Sequence, residues 1–167
     1  IEPSDFFSPL ATARRLFGLL VGGDAEGVAM VPSVSYGMAI AAANLPVPRD
    51  GNVVVLAEQF PSNVYVWQEA AKKSGARIRV AKRPDDYNWT SAVLEQIDPQ
   101  TAVVAVPTCH WTDGSYIDLA TIKRGCEAAG AMLVVDGSQS IGALPFSVTE
   151  VNPDFLVTVA EKWLLGP

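Results

Sequence analysis

The sequence predicts an α/β fold: one three-layer domain with a mostly parallel sheet and helices on both faces. Valine-rich runs such as Asn52–Ala57 and Ala102–Pro107 are apolar on both faces, as strands of a covered parallel sheet are. Longer stretches of helical character alternate with them, and the linkers between are short, which is the order of repeated strand–helix–strand units. The 167 residues suffice for one such domain with a sizeable core.

Each element has its own signal. Ser8 and Pro9 open a helix that runs to Leu20 and stops at Gly22-Gly23. Val28–Val31 is a short apolar run predicted as the first strand, and an alanine-rich helix from Ser35 to Asn44 follows, closed by Pro46. Asn52–Ala57 is the next strand, set off by Asp50-Gly51. The helix Asn63–Ser74 is read with Val66, Ala70 and the Lys73 stem on one face and Gly75 just past its end. Arg77–Val80 alternates basic and apolar side chains, as a less buried strand does. Thr90–Ile97 is a short helix ended by Asp98-Pro99, and Ala102–Pro107 is a buried strand. Asp118 caps a helix through Ala129, with Gly130 after it. Met132–Val135 and Phe155–Val159 complete about six strands and five helices.

Composition excludes several classes of function. Twelve basic against eighteen acidic side chains leave a net charge of −6, which provides no basic footprint for nucleic acid. The uncharged stretch Val28–Pro48 is interrupted by Pro32, Ser33, Ser35, Gly37, Asn44 and Pro46, so it reads as buried strand, turn and helix rather than a membrane span. The N-terminus lacks the basic and apolar regions of a signal peptide. One histidine, His110, and two cysteines, Cys109 and Cys126, build neither a His/Cys metal cluster nor a disulfide framework, and a reduced, cytoplasmic setting is expected. The chain starts at Ile1 and breaks off at Pro167 directly after a motif, so it is expected to be the first part of a longer protein.

Ligands of parallel sheets bind beyond the carboxyl ends of the strands. The residues expected there are Ser33, Val34 and Ser35; Glu58, Gln59 and Phe60; Thr108 to Trp111; Asp136 to Gln139; and Lys162. Ser33–Gly37 joins a strand to a helix start, where free N–H groups favour an anion, although taken alone the motif reads more simply as an ordinary serine N-cap. Neither common glycine-rich phosphate loop occurs. Asp136 ends an apolar strand, so its carboxylate needs a cation or donors; capping the next helix is the plain alternative. Lys162 lies between apolar residues, where burial makes an amine nucleophilic, though a lysine there also snorkels or pairs with Glu161. Taken together, an acid, a lysine and an anion-ready helix start are the set pyridoxal 5′-phosphate needs: a lysine for its aldehyde, an acid for its ring nitrogen and a nest for its phosphate.

Val134-Val-Asp-Gly-Ser-Gln-Ser-Ile-Gly-Ala-Leu-Pro, then Pro153-Asp-Phe-Leu-Val, then Lys162-Trp-Leu-Leu-Gly-Pro resembles the class V aminotransferase family, which includes cysteine desulfurases, selenocysteine lyases, kynureninase and isopenicillin-N epimerase-like proteins. The resemblance runs from about Val28 to Pro167 and implies the large domain of fold type I, with a C-terminal small domain outside this sequence. It implies Lys162 as the Schiff-base lysine and proton shuttle, Asp136 on the pyridine nitrogen and Gln139 on the ring's phenolic oxygen. It implies Val34 and Ser35 at the phosphate and Phe60 stacked on the ring; His110, in the loop after the Ala102–Pro107 strand, is a candidate for touching cofactor or substrate, with plain packing as the alternative for a lone loop histidine. The implied activity is that of a transferase or lyase acting on an amino acid or amine, in a homodimer. Two departures stand out: Val159-Ala160-Glu161 replaces the usual Ser-x-His before the lysine, and Trp111 replaces an asparagine. They leave open a second reading, a non-catalytic ligand-binding or assembly protein on the same fold. Cys126 is expected as packing, and neither cysteine as a nucleophile.

Overall fold

The structure, a computed structural model, describes residues 8–166. Helix α1 spans Ser8–Val21 and α2 spans Val34–Asn44. Strand β1 (Asn52–Leu56), helix α3 (Tyr65–Ser74), strand β2 (Arg77–Ala81), helix α4 (Trp89–Leu94) and strand β3 (Thr101–Pro107) follow. Helix α5 (Leu119–Ala129), strand β4 (Met132–Asp136), the single turn α6 (Val148–Val151) and strand β5 (Phe155–Val157) complete the order. The five strands form one sheet in the order β2-β1-β3-β4-β5, every pair parallel.

Alternation along the strands sorts the core into two halves. Val53, Val55, Val103, Ala105 and Val134 point to one face, where Met38 and Ala41 of α2 and Trp67 of α3 cover them. Val54, Leu56, Val104, Val106, Leu133 and Val135 point to the other, under Trp89 and Val93 of α4 and Ile122 and Cys126 of α5. Over β1, β3 and β4 both faces are covered, which is why these strands read as continuous apolar runs, whereas the edge strand β2 keeps its alternating arginines partly exposed. Right-handed crossovers produce this division: β1 steps to β2 in one direction and β2 returns to β3 in the other, so α3 and α4 land on opposite faces.

The three-layer prediction is met, with three adjustments. Val28–Val31 is not a strand. Its first N–H bonds Ala25 O at 3.1 Å within a 3-10 turn, Met30 is 56% exposed, and no ladder partner lies alongside it among the described residues. Apolar content predicts a strand only where a neighbour supplies the ladder. On α3 the fully buried residues are Trp67, whose indole N–H donates to Asn63 Oδ1 at 2.9 Å, and Ala71, while Val66 packs half-buried against the same core as expected. The last strand stops at Val157, and the motif's Pro167 lies outside the described residues.

Candidate active site

The sheet has its topological switch between β1 and β3, where successive connections leave in opposite directions and open a crevice. Two aromatic rings stand there. Phe60, just past β1, and Trp111, just past β3, meet edge to face with centres 5.5 Å apart and planes at 88°. The Trp111 indole N–H donates to Glu58 O at 2.7 Å, which tethers a ring that is otherwise half exposed.

Asp136 closes β4 next door and is buried. Its Oδ1 accepts the Ser138 N–H at 3.0 Å. Burial pushes its carboxyl above the usual range, while the Ser138 contacts and the nearby Lys162 charge pull it back. Beside it the hydroxyls of Ser138 and Thr158 are buried without a hydrogen-bond partner. The next turn is held by a short hydroxyl contact between Thr108 and Ser140 and by Gly137 N–H to Val157 O at 2.8 Å, which locks the β3, β4 and β5 loops together.

Residues 158–166 carry no helix or strand. Lys162 sits in a turn closed by Leu165 N–H to Lys162 O at 3.2 Å and Gly166 N–H to Ala160 O at 2.8 Å. Its Nζ lies 5.7 Å from the centre of the Phe60 ring. Gly142 makes this placement possible: it has φ +100°, and a Cβ there would stand 2.7 Å from Trp163 O. The loop carrying Gln139 therefore packs backbone to backbone against the loop carrying Lys162.

The start of α2 is the anion-ready end. Ser33 is the N-cap, its hydroxyl accepting Tyr36 N–H at 3.1 Å. Val34 and Ser35 occupy the first helical turn, whose N–H groups have no acceptor within the helix. The Ser35 hydroxyl reaches Ser62 Oγ at 2.9 Å. Ser62 follows Phe60 through Pro61, so the loop that presents the aromatic ring also presents a hydroxyl to the helix start.

Of the residues singled out from the sequence, Phe60, Lys162 and Asp136 converge, and Val34 and Ser35 stand at the helix start. Gln139 is half-buried in the loop after Asp136. His110 is placed differently from the expectation of a ligand contact. Its ring is fully buried, stacked on Trp89 at 4.7 Å, and neither nitrogen is free. Nδ1 accepts from the Thr112 hydroxyl at 2.9 Å and faces the Thr112 N–H at 3.4 Å, so the proton sits on Nε2 and is donated to Ala57 O at 3.1 Å. Glu161 is exposed. Burial raises the thiols of both cysteines, Cys126 to about 12. Ser138 lies in the strand-end loop expected from the sequence, which gave no notice of Ser62 or Thr158; the first had a visible signal, a serine beside an aromatic at a helix entry, whereas Thr158 is marked only by burial.

The profile of the class V aminotransferases matches residues 4–167. The chain belongs to the class V aminotransferase family. Among curated relatives, this class V chain is 32% identical over 166 residues to the uncharacterized aminotransferase YcbU of Bacillus subtilis, covering 99% of this chain and 42% of that protein. It is 25% identical to isopenicillin N epimerase of Streptomyces clavuligerus, covering 99% of this chain and 44% of that one. Among solved structures it resembles the apo cysteine desulfurase of Thermococcus onnurineus NA1, with TM-score 0.85 and 23% identity over 94% of this chain and 40% of that one. It also resembles C-DES with glycine covalently linked to its pyridoxal phosphate, with TM-score 0.86 and 20% identity over 95% of this chain and 43% of that one. The class V chain thus spans about two-fifths of the length of these relatives. None of its described helices is long and apolar enough to cross a membrane, and no group of three or more metal-ligating side chains gathers among the described residues.

Proposed function

We propose that this chain carries the pyridoxal 5′-phosphate site of an enzyme that acts on an amino acid or amine. The observation that carries the reading is Asp136: a buried carboxylate at a strand end, held by one backbone N–H, in the field of Lys162 and beside two unpartnered hydroxyls. Such a carboxylate is costly alone and is offset by a buried cation such as a protonated ring nitrogen. The rest of the site fits the same group. Phe60 offers a ring face, Val34 and Ser35 offer N–H donors with the hydroxyls of Ser35 and Ser62, and Lys162 offers the amine.

When bound, the cofactor supplies an electron sink for charge developing beside the substrate nitrogen. The protein's part is binding, orientation and proton transfer. Lys162 would be the covalent tether and then the base at the substrate carbon. Asp136 would keep the ring nitrogen protonated, and Gln139 would donate to the ring oxygen. Phe60 would cover one ring face and exclude water there. His110 acts from behind, holding Ala57 O and so the strand end that leads to Phe60.

The protein as a whole is read as a cytoplasmic transferase or lyase and a homodimer. Leu16 at 54% and Leu19 at 68% exposure on α1 supply apolar surface consistent with pairing. The test is spectroscopic. Pyridoxal 5′-phosphate added to the full-length protein gives a visible band that moves when amino acids are added, and Lys162→Ala abolishes that band. Bound cofactor inert to every amine favours a non-catalytic ligand-binding protein instead.

A further inference from the structure

We propose that Arg83 is a positioning residue: from outside the cofactor site it clamps the loops after β1 and β3 to each other and so holds Phe60 and Trp111 as a fixed aromatic wall. Arg83 enters from the far side, on the segment between β2 and α4. Its guanidinium donates to Glu58 Oε2 at 2.8 Å and to Thr112 Oγ1 at 2.8 Å, and pairs with Asp113 Oδ2. Glu58 belongs to the β1 loop, and Thr112 and Asp113 to the β3 loop. One planar fork therefore bridges both, a geometry the point charge of a lysine does not reproduce.

The clamp acts on a backbone that needs it. Glu58 has φ +54°, a left-handed conformation that a residue with a side chain holds only when its surroundings impose it. Its carbonyl is the acceptor for Trp111, and the neighbouring Ala57 carbonyl is the acceptor for His110. Under the guanidinium the groups are layered: Arg83 Cζ lies 5.3 Å above the Trp89 ring, and Trp89 stacks on His110 with planes 4° apart. Charge, stacking and two carbonyl hydrogen bonds thus converge on Ala57 and Glu58, the residues that lead into Gln59 and Phe60. The Asp113 arm is the better shielded, its side chain 20% exposed against 61% for Glu58, so it is the stronger half of the clamp.

That the wall serves catalysis rests on the cofactor reading; that Arg83 holds the wall does not. The experiment uses the full-length, cofactor-free protein labelled with 5-fluorotryptophan, with the Trp111 resonance assigned by its loss in Trp111→Phe. Arg83→Gln moves that resonance toward free 5-fluorotryptophan and broadens it, and Asp113→Asn does the same to a smaller extent. The core Trp67 resonance stays in place and reports that the fold is intact. Arg79→Gln, which breaks the ion pair between Arg79 of β2 and Asp98 before β3, leaves Trp111 unmoved. An unmoved Trp111 in folded Arg83→Gln overturns the proposal, as does an equal shift in Arg79→Gln. If Arg83→Gln does not fold, Asp113→Asn decides by the same criterion. Absence of a cofactor adduct on Lys162 counts against the cofactor reading and leaves the Trp111 result standing.

Discussion

The Lys162 amine stands 5.7 Å from the centre of the Phe60 ring, which means that the loop after β5 reaches back over the ends of β4 and β3 to meet the loop after β1. Asp136 lies at the end of β4 on that path, in the field of the same amine. A lysine, a buried acid and an aromatic face from three strand ends thus share one edge of the sheet.

Asp136→Asn separates the needs of the empty site from those of the loaded one. Burial raises the Asp136 carboxyl, so ionising it in the folded chain is unfavourable, and the penalty develops as pH rises from the usual carboxylate range through the raised value. The variant removes that penalty. Without cofactor, its urea midpoint at pH 7 is therefore higher than the parent's, and the gap closes on acidification. Cofactor retention moves the other way, weakening by roughly a hundredfold, or about 3 kcal/mol, for loss of a buried charge partner. Equilibrium unfolding across pH and cofactor titration check the two halves.

Gly142→Ala inserts a methyl 2.7 Å from Trp163 O at φ +100°. The strain costs about 1–3 kcal/mol in urea unfolding. The damage is local to the lysine loop, so amine-directed labelling of Lys162 in the folded protein speeds up relative to labelling of Lys72 on α3.

Ser35 and Ser62 form one hydroxyl pair at the start of α2. Removing either, as Ser35→Ala or Ser62→Ala, weakens binding of pyridoxal 5′-phosphate about tenfold, the value of about one hydrogen bond to a charged group. Binding of pyridoxal, which lacks the phosphate, is unchanged, and isothermal titration of the two ligands distinguishes them.

Cys126, pushed up to about 12 by burial, and Cys109, also raised, hold almost no thiolate at neutral pH. Both are therefore slow toward a disulfide reagent in native buffer and fast in denaturant. Rapid native labelling of either one contradicts their placement.

Much of this was legible in the sequence because it depends on local or periodic signals. The runs at β1, β3 and β4 declare two covered faces, Gly75 and Gly130 both adopt the left-handed helix end their positions suggest, and Asp118 caps α5. Asp136 and Lys162 stood out because charge in apolar surroundings demands a partner. What stayed hidden depends on contacts between distant segments. Nothing near Val28–Val31 says that no strand lies alongside, and nothing near His110 says that Ala57 and Thr112 take both its nitrogens. Arg83 looks like any loop arginine until two loops from other strands close around it.

The most direct test of the account is reduction of the full-length protein with borohydride in the presence of pyridoxal 5′-phosphate, followed by peptide mass mapping. The account predicts one pyridoxyl adduct, on Lys162, lost in Lys162→Ala. A bound cofactor with its adduct on another lysine, or with none, contradicts it.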